Sequence, residues 1–225
     1  MDLLQIMKRC GAYWEYKPGG PHVALFVSGF HSTKLYNFSI LEQDPIAMDR
    51  IGSLLAEKAR KQIKEITDFS KVIIIATDTK SRIFGSKFAE KLGSRFAFCF
   101  KQGNKQGELL RISSFDPKDD EIIVIFDRIF TYGGSALGAF KVIKKKNSKA
   151  RFVLRDNKII VFSLIFRHVI GSSSLNINQQ FEVIPLLDDD AYVWSPEECP
   201  LCMKGSTFLD LNNPTGKREF QNCIK

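Results

Sequence analysis

The stretch Glu121 to Phe140, EIIVIFDRIFTYGGSALGAF, limits the fold more tightly than any other part of the chain. It opens with a continuous apolar run, Ile122 to Phe126, that ends at Asp127. Such a run offers no polar face to solvent, so it reads as a strand buried on both sides. A short link and then Thr131-Tyr132-Gly133-Gly134-Ser135 lead into a helical pattern from Ala136 onward. A strand, a glycine loop and a helix start bring unpaired backbone N–H groups and the positive end of a helix dipole to one point. That point suits a phosphate. Asp127, at the carboxyl end of the strand, is placed for a hydroxyl or a metal-bound ligand.

The chain around this stretch alternates in the same way. Asp44-Pro45 supplies an N-cap acid and a first-turn proline. Ile46, Ile51, Leu54, Leu55, Ala59, Ile63 and Ile66 then recur at helical spacing. Val72 to Ala76 reads as a buried strand, Asp78 to Arg82 as a polar loop, and Phe84 to Leu92 as a helix closed by Gly93. Phe96 to Phe100 is the next strand. Lys101 to Asp120 shows little periodicity and reads as a long loop, functional or mobile. The helix after the glycine loop runs to about Lys146, where Lys144, Lys145 and Lys146 complement the dipole. Ala150 to Leu154, Ile159 to Phe166 and Phe181 to Ile184 are further strands, with Asp156-Asn157 as a hairpin turn.

At the N-terminal end, residues 1–21 begin as a short amphipathic helix that stops at Cys10-Gly11. Val23 to Val27 and His31 to Ile40 read as strands, and Asp188 to Lys225 as a turn-rich tail. Strands alternating with helices give an α/β fold with a mostly parallel sheet covered on both faces. Ligands bind such sheets beyond the carboxyl ends of the strands. Three loops should gather there: Thr77–Arg82, Lys101–Asp120 and Arg128–Ser135.

Composition narrows the partners. A formal net charge of +8 favours anionic ligands, although a Lys-rich solvated surface is the readier account of it. Nucleic acid has no motif behind it. No run approaches the roughly 18 apolar residues of a membrane span, and the N-terminus does not read as a signal peptide. Five cysteines in no regular framework point to a reducing, cytoplasmic compartment. The glycine loop has neither the spaced glycines of a dinucleotide fingerprint nor the Gly-Lys-Ser/Thr of a P-loop. Cys199 and Cys202 form a CxxC, half of a Zn²⁺ site, which Cys223 and Cys10 could complete. His22 and His168 show no ligand spacing, and His31 reads as a structural residue.

The glycine-loop stretch resembles the phosphoribosyl-pyrophosphate (PRPP) motif of type I phosphoribosyltransferases: apolar run, two acids, two variable residues, Thr-Thr, two glycines, Thr or Ser. Asp127 takes the first acid, Thr131 the first threonine and Ser135 the last hydroxyl. Tyr132 replaces the second threonine, and Arg128 replaces the second acid. Val23 to Pro45, VALFVSGFHSTKLYNFSILEQDP, is similar to the N-terminal segment of the orotate branch. Trp194 to Gly205, WSPEECPLCMKG, is similar to a C-terminal motif found in a subset of it.

The resemblance implies a type I phosphoribosyltransferase fold. A hood segment (1–44) would precede an α/β core (45–187), followed by a tail (188–225). It implies transfer of 5-phosphoribosyl from PRPP to a nitrogenous base, orotate first, with Mg²⁺ and release of pyrophosphate by a homodimer. Thr131, Tyr132, Gly133, Gly134, Ser135 and Ala136 would hold the 5′-phosphate, and Asp127 the ribose hydroxyls. Thr79, Lys80 and Arg82 would meet the pyrophosphate in a loop that lacks the family's glycines. Lys101 and Lys105 would neutralise it from the long loop, where Gln106 stands in place of a histidine. These departures leave an alternative of another class: a regulator of the same fold that binds a nucleotide monophosphate or PRPP and has lost catalysis.

Overall fold

The computed structural model describes residues 1–25, 29–102, 109–113, 118, 120–167, 179–189 and 193–223, without the side chains of 109, 110 and 221–223. In chain order the elements are α1 (Leu3–Arg9), β1 (Tyr13–Glu15), β2 (His22–Ala24), β3 (His31–Ser32), β4 (Lys34–Tyr36), α2 (Phe38–Leu41) and α3 (Pro45–Gln62). There follow β5 (Val72–Ala76), α4 (Arg82–Leu92), β6 (Arg95–Gln102), β7 (Leu109–Ile112), β8 (Ile122–Phe130) and α5 (Gly134–Lys146). The chain then runs through β9 (Arg151–Phe152), β10 (Leu154–Arg155), β11 (Lys158–Arg167) and β12 (Phe181–Asp189). It finishes with β13 (Val193–Trp194), α6 (Pro200–Met203), β14 (Phe208–Asp210) and α7 (Pro214–Cys223).

The central sheet is ordered β10-β11-β8-β5-β6-β7, with β12 also paired to β11 and β9 to β8. Its interior pairs, β11 with β8, β8 with β5 and β5 with β6, are parallel. β5 shows why. Val72, Ile74 and Ala76 face one apolar layer, while Ile73 and Ile75 face the other, the alternation that a strand covered on both sides requires. α1, α3 and α4 pack over the first face and α5 over the second. Asp44 caps α3, its Oδ1 accepting from the N–H of Ile46 at 2.9 Å and of Ala47 at 3.0 Å. A Cβ on Gly85 would stand 2.9 Å from the Phe96 ring and 3.1 Å from Ala76, so glycine lets α4 lie close on the sheet. Asp156 and Asn157, both at positive φ, make the hairpin turn between β10 and β11.

Several expectations change. The strand read as ending at Asp127 continues to Phe130, because β11 stays in register beside it through Phe166↔Phe130. α5 begins at Gly134, two residues before the apolar periodicity shows it. α3 stops at Gln62, leaving Ile63 as its C-cap and Ile66 beyond it. The strand read over His31–Ile40 is two short strands and then a helical turn, α2, which buries Phe38 and Leu41. Lys101–Asp120 is not all loop: β6 runs to Gln102 and β7 returns antiparallel to it.

The tail is also more ordered than turn residues suggest. β13 and β14 flank β2 and β3 in a separate sheet ordered β13-β3-β2-β14. A satellite core of Val23, Leu25, Leu35, Val193, Leu209, Leu211 and Phe220 lies beneath it. Residues from both ends of the chain thus share one hood. Among the described residues no helix is long and apolar enough to cross a membrane.

Candidate functional site

Two clefts open at the carboxyl ends of β5, β6 and β8. The first, of about 700 Å³, is bounded by Thr77, Asp78, Thr79, Lys80, Phe100, Lys101, Gly134 and Ser135. The second, of about 680 Å³, lies under the hood between Leu25, Leu35, Tyr36, Phe38 and Glu42 on one side and Ile83, Arg128, Ile129 and Arg167 on the other. Thr79 and Lys80 border both, so the clefts meet over the β5–α4 loop.

The first cleft gathers groups that attract an anion. Gly133 caps α5 at φ 78, a left-handed conformation that suits glycine. The first turn of α5 faces the cleft through Gly134 and Ser135, bringing the helix's unpaired N–H groups and dipole. Lys80 and Lys101 add positive charge at its rim. The β5–α4 loop is fixed by its own polar groups. Asp78 Oδ1 accepts from the Ser81 N–H at 2.7 Å, and Ser81 Oγ accepts from the Arg128 N–H at 3.1 Å.

Asp127 lies beneath this junction and borders neither cleft; it is only 6% exposed. Burial, and after it the charge of Asp78, pushes its carboxyl up to about 7. A buried acid shifted by desolvation and a neighbouring charge is a candidate functional position. Asp78 follows β5 and Asp127 lies within the neighbouring β8, so the two carboxyls stand close enough for the charge of one to act on the other.

Arg128 points to the second cleft. Its guanidinium sits 4.6 Å from the centre of the Phe38 ring and 3.4 Å from Glu42 Oε1. The charge that replaces the expected second acid is therefore met by α2 and the residue after it. Deeper in the same cleft, Arg167 is 7% exposed and lies 5.3 Å from the Tyr36 ring centre. Its Nε is buried without a hydrogen-bond partner among the described residues. The Tyr36 hydroxyl faces Asp189, and burial and then that carboxylate push its pKa up, while Asp189 Oδ1 accepts from Lys34 Nζ at 2.6 Å. Buried polar atoms of this kind are rare in native proteins without a ligand, water or ion to serve them.

Of the residues singled out from sequence, the structure brings Thr79, Lys80, Lys101, Gly134 and Ser135 to one cleft. Thr131, Tyr132, Gly133 and Ala136 belong to the loop and first turn behind them. Arg82 stands apart, exposed on α4, with its guanidinium over the Phe98 ring at 5.2 Å. Lys105, Gln106 and His168 lie outside the described residues. Cys10 is not near the CxxC: its thiol donates to Asp44 Oδ2. The side chain of Cys223 lies outside the described residues. Cys199 and Cys202 instead meet His22 and His31, which share one face of the β2–β3 hairpin. Tyr36, Phe38, Glu42 and Arg167 were not singled out, because an aromatic strand and a lone arginine after an apolar run carry no motif.

No family model matches the chain. Solved structures define its class. Orotate phosphoribosyltransferase from Aeropyrum pernix superposes with a TM-score of 0.59 at 16% identity, over 83% of this chain and 93% of that one. The Francisella tularensis enzyme of the same name gives 0.54 at 13% identity, over 82% and 84%. The chain has the type I phosphoribosyltransferase fold. Sequence relatives narrow this further. The chain is 26% identical to the orotate phosphoribosyltransferase of a Nitratiruptor species over 207 residues, 92% of this chain and 95% of that protein. It is 29% identical to that of Campylobacter curvus over 211 residues, 93% and 96%. The resemblance carried by three short stretches is thus one of nearly whole chains, to the orotate branch of that fold.

Proposed function

We propose that this protein transfers 5-phosphoribosyl from PRPP to orotate, releasing pyrophosphate. The observation that carries the reading is the pair of clefts meeting at Thr79–Lys80, one an anion cradle and the other ending at a buried arginine. In this reading the 5′-phosphate sits on the first turn of α5, held by Gly134, Ser135 and the N–H groups beside them. The pyrophosphate lies against Lys80 and Lys101, and Arg82 supplies longer-range charge only. The base enters the second cleft between Tyr36 and Phe38, with its carboxylate toward Arg167. A buried guanidinium with an unserved Nε suits a planar carboxylate.

Transfer breaks the bond from ribose C1 to pyrophosphate oxygen, and the electron pair leaves on pyrophosphate. The base nitrogen forms the new bond to C1 and gives its proton to solvent. In this reading Asp78 at the cleft wall, with Asp127 buried behind it, stabilises the positive charge that develops on the sugar. Of the two, Asp78 borders the first cleft and would offer an oxygen donor to a hard cation such as Mg²⁺. Bound with PRPP, that ion supplies charge neutralisation for the departing pyrophosphate. A homodimer in the cytoplasm completes the reading, and the free thiols at Cys10, Cys99, Cys199 and Cys202 suit a reducing compartment. The regulatory alternative rests on Arg128, the glycine-free loop Thr77–Arg82 and Gln106, and it too keeps the anion cradle. The nearly whole-chain likeness to orotate phosphoribosyltransferases supports the transfer reading over it.

The test is the Mg²⁺-dependent loss of orotate absorbance on mixing with PRPP, run beside calorimetric titration with PRPP and with uridine and orotidine monophosphates. Turnover that depends on PRPP is expected. Tight monophosphate binding without PRPP binding or turnover would replace this reading with the regulatory one.

A further inference from the structure

We propose that His22, His31, Cys199 and Cys202 bind one zinc ion that fastens the C-terminal segment of the chain to its N-terminal hairpin. Each residue offers one ligand atom, and these atoms all lie within 4.8 Å of one another. His22 Nε2 is 3.0 Å from His31 Nδ1 and 3.4 Å from Cys202 Sγ, and Cys202 Sγ is 3.2 Å from His31 Nδ1. Cys199 Sγ is 3.6 Å from His22 Nε2. A tetrahedral zinc with ordinary bond lengths to nitrogen and sulfur has edges of about 3.3–3.8 Å. These four distances lie within about 0.4 Å of such edges, and the widest pair, at up to 4.8 Å, closes by about 1 Å to complete the tetrahedron.

The surroundings are those of a metal site. His22 turns its other nitrogen, Nδ1, to Ser206 Oγ at 3.1 Å. That hydroxyl in turn donates to the backbone carbonyl of Gly20 or Thr207, each at 3.2 Å. A hydrogen bond from Nδ1–H leaves Nε2 unprotonated and facing the cysteines, as a ligand histidine needs. Phe208 covers the cluster, its ring centre 4.5 Å from that of His31. Cys199, His22 and His31 are buried. Two thiols that give up their protons balance the charge of a divalent ion, so the completed site is neutral. Two imidazoles and two thiolates in a tetrahedron favour zinc over magnesium or calcium. With all four corners filled by protein the site is structural and keeps no open position for chemistry.

The need for such a clamp is visible in the hood. Its apolar core is small, and small cores gain most from a metal or covalent staple. β13 and β14 come from the C-terminal part of the chain yet sit on either side of β2 and β3. The CxxC lies between those two strands, so one ion holds both to the hairpin. Leu25, Leu35 and Tyr36 of the hood wall the second cleft, and the clamp thus sets the shape of that wall.

The experiment uses the full chain without PRPP, dialysed against EDTA and then given one equivalent of zinc or cobalt. Elemental analysis should find about one zinc per chain after removal of excess. Cobalt should give the intense visible bands of a tetrahedral ion with thiolate-to-metal charge transfer. All five cysteines should titrate as thiols in denaturant. Chelation should lower the thermal midpoint and expose the segment after residue 190 to protease, both reversed by zinc. The double variant Cys199→Ser/Cys202→Ser should lose the bound metal. The idea is overturned by absence of stoichiometric metal and cobalt bands in the intact chain, by a Cys199–Cys202 disulfide, or by full zinc retention in the double variant. The cobalt spectrum of the unaltered chain decides the matter even if that variant does not fold. Orotate turnover is a separate measurement, so failure of either proposal leaves the other standing.

Discussion

Asp127→Asn gives the most direct test of the energetics at the cleft junction. Burial and the neighbouring Asp78 raise the Asp127 carboxyl from 3.8 to about 7. The folded protein therefore holds a proton that the unfolded chain has released. Stability contributed by that proton is complete below the unfolded value and is lost as pH rises through the folded one. At 1.36 kcal/mol per pH unit, the stability lost relative to a side chain that does not titrate is about 2 kcal/mol at pH 5 and about 4 kcal/mol at pH 8.5. Asparagine has nearly the same shape and does not titrate. The variant should thus be more stable than the parent at pH 8.5, and its advantage should shrink by about half at pH 5. In urea the midpoints should differ by about 1–2 M at the higher pH, for slopes near 2–3 kcal/mol/M. The same variant should lose most of its transfer activity, because the acid is retained there at the expense of stability. A midpoint difference that stays constant from pH 5 to 8.5, or an asparagine variant that is weaker at the higher pH, would refute the reasoning.

Other consequences are as specific. Arg167→Met should raise the KM for orotate about 10- to 100-fold, the worth of a charge-assisted hydrogen bond, and leave the KM for PRPP nearly unchanged; steady-state kinetics with each substrate varied separate the two. Arg128→Met should cost about 1–2 kcal/mol through loss of Glu42 and the Phe38 ring. Arg128→Asp should cost more, since it sets an acid against Glu42, and thermal melts of both beside Glu42→Gln would show the order. Gly133→Ala places a side chain at φ 78. It should destabilise by about 1 kcal/mol and raise the KM for PRPP several-fold, and a change confined to the orotate KM would contradict the assignment of the anion cradle.

The core was legible because its signals are local. β5 and the start of β8 are apolar on both faces, and the cap at Asp44 and the stop at Gly93 lie within a turn of the helices they bound. The glycine loop could be placed at the head of a helix for the same reason. What escaped depends on partners far away in the chain. β7 has few residues and exists through pairing with β6. β13 and β14 look like turns until β3 and β2 lie beside them. The histidines are nine positions apart and come together because Ala24 pairs with His31 across the hairpin, which sets His22 on the same face. Arg167 looks like the polar end of an apolar strand, and its importance follows from the cleft above it. Arg128 reads as a reversal of charge, and Glu42, the group that answers it, stands 86 positions earlier.

The hood has a consequence for synthesis. β2 and β3 leave the ribosome early, but the strands that cover their edges, β13 and β14, are more than 150 residues behind. At about 5–20 residues per second that interval is on the order of ten seconds or more. Throughout it the β2–β3 hairpin lacks the strands and most of the core that support it, and a two-stranded hairpin alone is marginal; any edges it forms are open to wrong partners. Its brevity is then a protection, since two or three residues per strand offer little for a stray chain to pair with.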